Sequence, residues 1–343
     1  MKIWQQERGL LRAFASLRHR NYRLYWFGQL ISLIGTGMQT TGQAWLVLEL
    51  THSALQLGLV GALQFLPVLF FTIFGGVFAD RWPKRRILLV TQSVFMIQAL
   101  LLWLLVATGV VQLWQIYVLA MLLGLTSCLD QPARSAFIVE MVGREDLPNA
   151  VALNSSVLSL TRIAGPGFAG IIIAASGVTQ LFLLNALSFL AMIVALALID
   201  TSALFAQAHR SGSKSDPGGE GKSQNTLQSL REGVDYVMKA PSVVLLILVV
   251  GLVLLFGANY NVVLPLVATD VLHVGARGFG FLSASMASGS LIAALWLAWS
   301  NARPTIRHVL IGTLIFGVLE TAFALSRIYL LSLALIASVG AVE

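Results

Sequence analysis

Charge is what this sequence has least of. Asp, Glu, Lys and Arg make up 11% of its 343 residues, against roughly 25% in an ordinary soluble domain. With 57% hydrophobic residues and a mean hydropathy of +0.83, that scarcity indicates an all-α polytopic membrane protein. Cysteine occurs once, as Cys128 within an apolar run, which excludes a disulfide framework and Cys-rich zinc sites. The histidines, His19, His52, His209, His273 and His308, are scattered and form no HExxH or paired-ligand motif. No GxxxxGK[ST] loop is present to cradle phosphates. A metal centre, an organic cofactor, direct use of ATP and a membrane-embedded enzyme are therefore not expected. The net charge of +7 does not point to nucleic acid. The bases cluster at the ends of apolar runs, where they would anchor a membrane protein.

Long apolar runs are what the chain has instead. A spanning helix needs about 20 mainly apolar residues. Such runs cover 22–48, 54–78, 87–107, 113–133, 149–175, 179–199, 242–266, 277–299, 306–325 and 328–343, which predicts ten helices. They are too long and too continuous for barrel strands. The turns near 49–53, 108–112 and 176–178 carry almost no base, whereas those near 81–86, 134–148 and 200–241 carry most of them. The basic loops, and with them the N-terminus, are expected on the cytoplasmic side. Four segments follow: a cytoplasmic amphipathic N-terminus (1–21), a six-helix half (22–199), a cytoplasmic linker with a surface helix (200–241) and a partial second half (242–343). The linker assignment rests on "HRSGSKSDPGGEGKSQN", rich in Gly, Ser and charge.

The chain also matches itself at an offset of 222 residues. Gly35 falls on Gly257, Gly58 on Gly280, Arg81 on Arg303 and Arg85 on Arg307. Helix ends and basic turns align without gaps, the pattern of two parallel repeats about an axis normal to the membrane. The same offset sets Glu343 on Met121, so the chain is expected to stop within its tenth helix, with about two more needed to complete the second half.

The stretch "GVFADRWPKR" (76–85) resembles the signature loop between the second and third helices of the major facilitator superfamily, through Gly76, Ala79, Asp80, Arg81, Lys84 and Arg85. Phe78 stands for the family's Leu, and Pro83 for its second Gly. "DQPAR" (130–134) and "LPNAVALNS" (147–155) are similar to the enterobactin-exporter-like branch. "GPGFAG" (165–170) is similar to a fifth-helix exporter motif, with Thr161 and Ala169 where the fuller pattern has Gly. The resemblance implies the major facilitator fold of two six-helix halves, here with an incomplete second half. It implies alternating access, proton coupling and export of a small organic molecule, a siderophore or an amphiphilic drug, across the bacterial inner membrane. An importer, a transporter-like receptor and a non-transporting fragment remain as alternatives. The expected partners are a small-molecule substrate and the lipid bilayer, with the protein a monomer.

Candidate residues fall in three groups. The resemblance implies a conformational latch of Gly76, Asp80, Arg81, Lys84, Arg85, Asp130 and Arg134. A carboxylate such as Asp80 at a helix exit needs a partner. Asp130 and Arg134, one turn apart, can pair with each other. Gly165, Pro166 and Gly170 would let another helix approach closely. Ionisable and polar groups inside spans are the third group, as candidates for a substrate or proton path. Arg162 lies near mid-membrane, Gln39 and Gln43 interrupt the first span, and Asn259 and Asn261 the seventh. Trp45, Phe65 and Phe256 are candidate aromatic surface for the same cavity.

Overall fold

The computed structural model describes residues 15–143, 145–204, 244, 259–300 and 306–342. Ten α-helices lie among them: α1 (Arg20–Thr51), α2 (Ala54–Arg81), α3 (Lys84–Ala107), α4 (Leu113–Val142), α5 (Leu147–Ser176), α6 (Thr179–Ala197), α7 (Tyr260–Leu266), α8 (Gly275–Ser300), α9 (Ile306–Leu325) and α10 (Tyr329–Val342). The predicted spans agree with these elements, and most of the seventh span (242–243 and 245–258) lies outside the described residues. The predicted surface helix and almost all of the 200–241 linker lie outside the described residues. Packing divides the chain into a unit of Met1–Ala206 with Asn261–Glu343 and a second of Gln207–Tyr260. All ten helices belong to the first unit, apart from Tyr260 at the start of α7.

Among the described residues five helices have the length and apolarity to cross a membrane: α2 over Ala54–Thr72, and α3, α4, α5 and α6. At 32 residues α1 is also long enough, but Gln29, Ser32, Gln39, Thr41 and Gln43 reduce its apolarity. All five side chains are buried. α1 is therefore a central helix whose polar face turns into the bundle, while outward faces carry exposed Leu55, Phe65 and Leu69 on α2 and Leu314 and Val318 on α9. Such apolar exposure suits lipid.

Connections between helices are short and their chemistry is local. Gly109 (φ +70°) and Gly177 (φ +82°) turn the chain after α3 and α5 in the left-handed region, which only glycine enters without strain. The α2–α3 turn needs no glycine. Trp82 is extended, as the residue before a proline must be. Pro83 (φ −61°) precedes α3, its carbonyl accepting from Arg86 and Ile87 N–H. Pro83, a departure from the family pattern, thus fits a turn that stays at negative φ.

Within the first half, α1 packs on α5 and α6, α2 on α4, and α3 on α4 and α6. Two apolar cores close its ends. Tyr22, Tyr25, Leu88, Phe137, Met141 and Leu196 form one at the basic-loop end. Val47, Leu57, Leu102, Ile116 and Phe182 form the other. In the second half α8 packs on α10, and α5 joins the halves by packing on α8. Ala54 and Gly275 open corresponding helices within a residue of the 222-residue offset.

Candidate functional site

Between the two cores lies a cavity of about 460 Å³ whose lining, among the described residues, comes from α1 to α6. Helical periodicity explains its composition. Gln29, Thr36, Thr40 and Gln43 recur on one face of α1, Ser127, Gln131 and Arg134 on α4, and Asn154, Leu158 and Arg162 on α5. The wall between them is closed by Phe95 and Phe189, stacked at 5.5 Å.

Beneath this surface runs a chain of amides. Gln39 Nε2 donates to Gln98 Oε1 at 3.0 Å, and Asn185 Nδ2 donates to Gln39 Oε1 at 2.6 Å. Ser188 Oγ donates to Asn185 Oδ1 at 3.0 Å. The chain links α1, α3 and α6, so Gln39 is held in place as well as lining the cavity. Gln29 Nε2 donates to Asn154 Oδ1 at 2.9 Å and ties α1 to α5. Gln43, 3% exposed, has an Oε1 without a hydrogen-bond donor among the described residues.

Among the described residues three charged side chains line the cavity: Asp130, Arg134 and Arg162. Asp130 and Arg134 form the expected pair through Oδ2 and Nε, both largely buried. Thr91 Oγ1 and Gln92 Nε2 donate to the other carboxylate oxygen at 2.7 and 2.8 Å. Asp130 therefore fastens α4 to α3. Arg162 is exposed to the cavity and has no partner among the described residues. Asp130 and Arg134 cancel, which leaves the lining with one positive charge.

The basic turn divides its work. Arg85 donates through Nε to Leu196 O at 2.7 Å and through Nη2 to Ala197 O at 2.8 Å, binding the last carbonyls of α6 where a cation also suits the helix dipole. Lys84 Nζ lies 3.5 Å from Glu140 on α4. All three contacts lie within the first six helices. Arg81 is exposed, and the side chains of Asp80, Arg303 and Arg307 lie outside the described residues. At the α2–α4 contact the close approach belongs to Gly75, where a Cβ would lie 2.0 Å from Cys128 O. Gly76 has open space around it.

The glycines of α5 serve two faces. Gly165 meets Gly37 of α1, where a Cβ would lie 2.8 Å from the Gly37 Cα. Gly170 meets Gly280 of α8, where a Cβ would lie 2.1 Å from the Gly280 carbonyl oxygen. α5 continues as one helix through Pro166. Beside the second contact, Arg277 Nε donates to Ala174 O at 3.1 Å. Trp45 stacks on Phe279 at 5.1 Å.

Some expected cavity residues are elsewhere. Trp45 is buried against Phe279 and does not line the cavity, and Phe65 is 75% exposed on the outer face of α2. The stacked aromatic pair that does line it, Phe95 and Phe189, was not anticipated. Asn259 is exposed ahead of α7, and the Asn261 side chain and Phe256 lie outside the described residues. Asn185, Gln98, Gln92 and Thr91 are functional neighbours that span counting passes over. Their signal is a lone polar residue inside an apolar run, which needs a partner once buried.

The sequence model of the family described as transmembrane secretion effector, a division of the major facilitator superfamily, matches residues 11–342. The staphyloferrin A transporter of Staphylococcus aureus is 24% identical over 277 residues, which are 80% of this chain and 66% of that protein. The enterobactin exporter EntS of Shigella boydii is 27% identical over 277 residues, 81% of this chain and 63% of that protein. The chain thus spans somewhat under two thirds of the length of these relatives. Among solved structures, an inward-facing, unoccupied bacterial homologue of the human lysosomal transporter Spinster superposes with a TM-score of 0.66 at 14% identity, over 95% of this chain and 73% of that one. A D-xylose–proton symporter gives 0.63 at 13%, over 94% and 78%. Both likenesses concern the fold.

Proposed function

This chain belongs to the transmembrane secretion effector family of the major facilitator superfamily, and we propose that it works as a secondary active exporter of a small siderophore-class molecule. It is a multi-pass membrane protein of the transporter fold, not an enzyme. In the proposal it sits as a monomer in the bacterial inner membrane with its N-terminus in the cytoplasm. It carries cargo by alternating access, with proton entry as the energy source. One observation carries the reading: a cavity of about 460 Å³ within the first half, lined by amides, an aromatic pair and an arginine that has no partner among the described residues. That volume lies in the range of small-molecule sites, roughly 300–1,000 Å³. Polar side chains at membrane depth are tolerated where they line a cavity or bond one another.

The family's mechanism requires one bundle to move against the other around a central site. The bonds that hold α1 to α6 together suit a half that moves as a body: Asp130 to α3, Arg85 to α6, and Gln39 to both α3 and α6. The glycine contact between α5 and α8 is then the place where one half can rock against the other. Export as the direction draws support from the enterobactin exporter relatives and from the "GPGFAG" stretch.

The experiment is transport into everted vesicles from cells carrying the gene, with enterobactin and staphyloferrin A as the two probe substrates. Uptake that collapses when the proton gradient is dissipated is expected. Equal uptake with and without the gradient would overturn proton coupling, and no uptake in either condition would overturn export of this class.

A further inference from the structure

We propose that Arg162 is the anion-binding element of the cavity, and that the cargo bears a carboxylate together with hydroxyl or amide donors. The proposal rests on the cavity being the transport site, and it names the chemistry which that site selects.

The first observation is charge. Asp130 neutralises Arg134 through a buried pair, but Arg162 has no counter-ion among the described residues. It stands in the middle of α5, two turns beyond Asn154, and faces the cavity with Asn154 and Leu158. A guanidinium at membrane depth is expensive and is normally paired. Among the described residues no acid forms an ion pair with it, and Asp130 on the same cavity wall is taken by Arg134, so the partner is expected to arrive with the cargo. A guanidinium presents two parallel N–H groups, which match the two oxygens of a carboxylate.

The second observation is independent of charge. Gln43 is buried on α1 and lines the same cavity, yet its Oε1 accepts nothing among the described residues. A buried acceptor left empty is destabilising. Water or a cargo donor can fill it, and a hydroxyl or amide N–H of the cargo would replace that water. Gln39 cannot serve this purpose itself, because Asn185 and Gln98 already hold its amide. A cation is disfavoured at this site by the positive lining, and a purely apolar molecule would leave both Arg162 and Gln43 unmatched.

Isothermal titration of the purified full chain tests this with three probes: citrate, its neutral trimethyl ester and tetraethylammonium. Citrate is expected to bind and the other two not. Arg162→Gln should weaken citrate roughly tenfold to a hundredfold. Arg162→Lys, which keeps the charge and loses the fork, should fall between. Gln43→Leu should weaken citrate without restoring the ester. Absence of citrate binding, equal binding of the ester, or unchanged binding in Arg162→Gln overturns the proposal. Leu158→Trp separates it from the reading on which it rests, because it narrows the cavity and leaves its charge alone. Citrate lost in Leu158→Trp but retained in Arg162→Gln keeps the cavity and refutes the anion site. Citrate retained in Leu158→Trp refutes the cavity itself.

Discussion

Gly170→Ala is the substitution whose outcome the structure determines most sharply. In an isolated helix it would be favourable, since alanine exceeds glycine in helix propensity by about 0.8–1.0 kcal/mol. Here the new Cβ would lie 2.1 Å from the Gly280 carbonyl oxygen and 2.9 Å from its Cα. The reciprocal contact is equally tight, a Cβ on Gly280 lying 2.2 Å from Gly170 O. Ordinary contact begins near 3.4 Å, so α5 and α8 must separate by about 1 Å or more. Both sides of the contact are backbone, so no rotamer change can relieve it. Overpacking of this kind costs about 1–3 kcal/mol, which exceeds the propensity gain over most of its range. The net loss of about 0–2 kcal/mol, about 1 kcal/mol at mid-range, would lower the population of the α5–α8 contact roughly fivefold at mid-range and up to about thirtyfold. Thermal unfolding of the purified protein and cross-linking between Ala174→Cys and Arg277→Cys measure the two consequences. A lower Tm and slower cross-linking are expected, whereas Gly76→Ala, with open space around it, should keep or slightly raise the Tm. An unchanged Tm and unchanged cross-linking in Gly170→Ala would refute the argument.

Other outcomes follow from the polar contacts. Arg85→Gln should destabilise the end of α6 by about 1–2 kcal/mol through loss of two carbonyl contacts and a dipole interaction, seen as faster hydrogen exchange over 194–198, while exposed Arg86→Gln should not. Asp130→Ala leaves a buried guanidinium unpaired and should cost about 3 kcal/mol or more; adding Arg134→Met should recover part of the lost Tm. Gln39→Leu empties the Asn185 and Gln98 positions together, and a loss of about 1–3 kcal/mol is expected in thermal unfolding. Asp80→Asn should abolish transport while membrane insertion stays normal, and unchanged transport would remove Asp80 from the latch.

The helices were largely legible in the sequence, because twenty apolar residues in a row leave few alternatives. Thr179–Ala197 and Tyr329–Val342 fall within a few residues of their apolar runs, whereas Leu113–Val142 continues nine residues past its run, through the polar stretch that holds Arg134 and Glu140. The pairing of Asp130 with Arg134 was legible too, since both lie on one helix a turn apart. Contacts between helices were not. Which glycine of Gly75 and Gly76 meets α4 depends on a rotation of 100° about α2, and a motif match cannot sense it. Gln98 and Asn185 acquire their role only when α1, α3 and α6 bring three amides together. Trp45 and Phe95 are both aromatic residues in apolar runs, and only the packing decides which faces a cavity. Arg85 reads as a topology signal in the sequence, yet its guanidinium binds the last carbonyls of α6.

Transport by Leu158→Trp, measured beside the unsubstituted protein in the same vesicles and normalised to the amount inserted, tests the central claim most directly. An indole at this position occupies the cavity between α1, α4 and α5 without altering any charge or any hydrogen bond described above. Normal insertion with transport lost is the result predicted. Normal insertion with full transport would contradict the account, because cargo would then have a route that does not pass through this cavity.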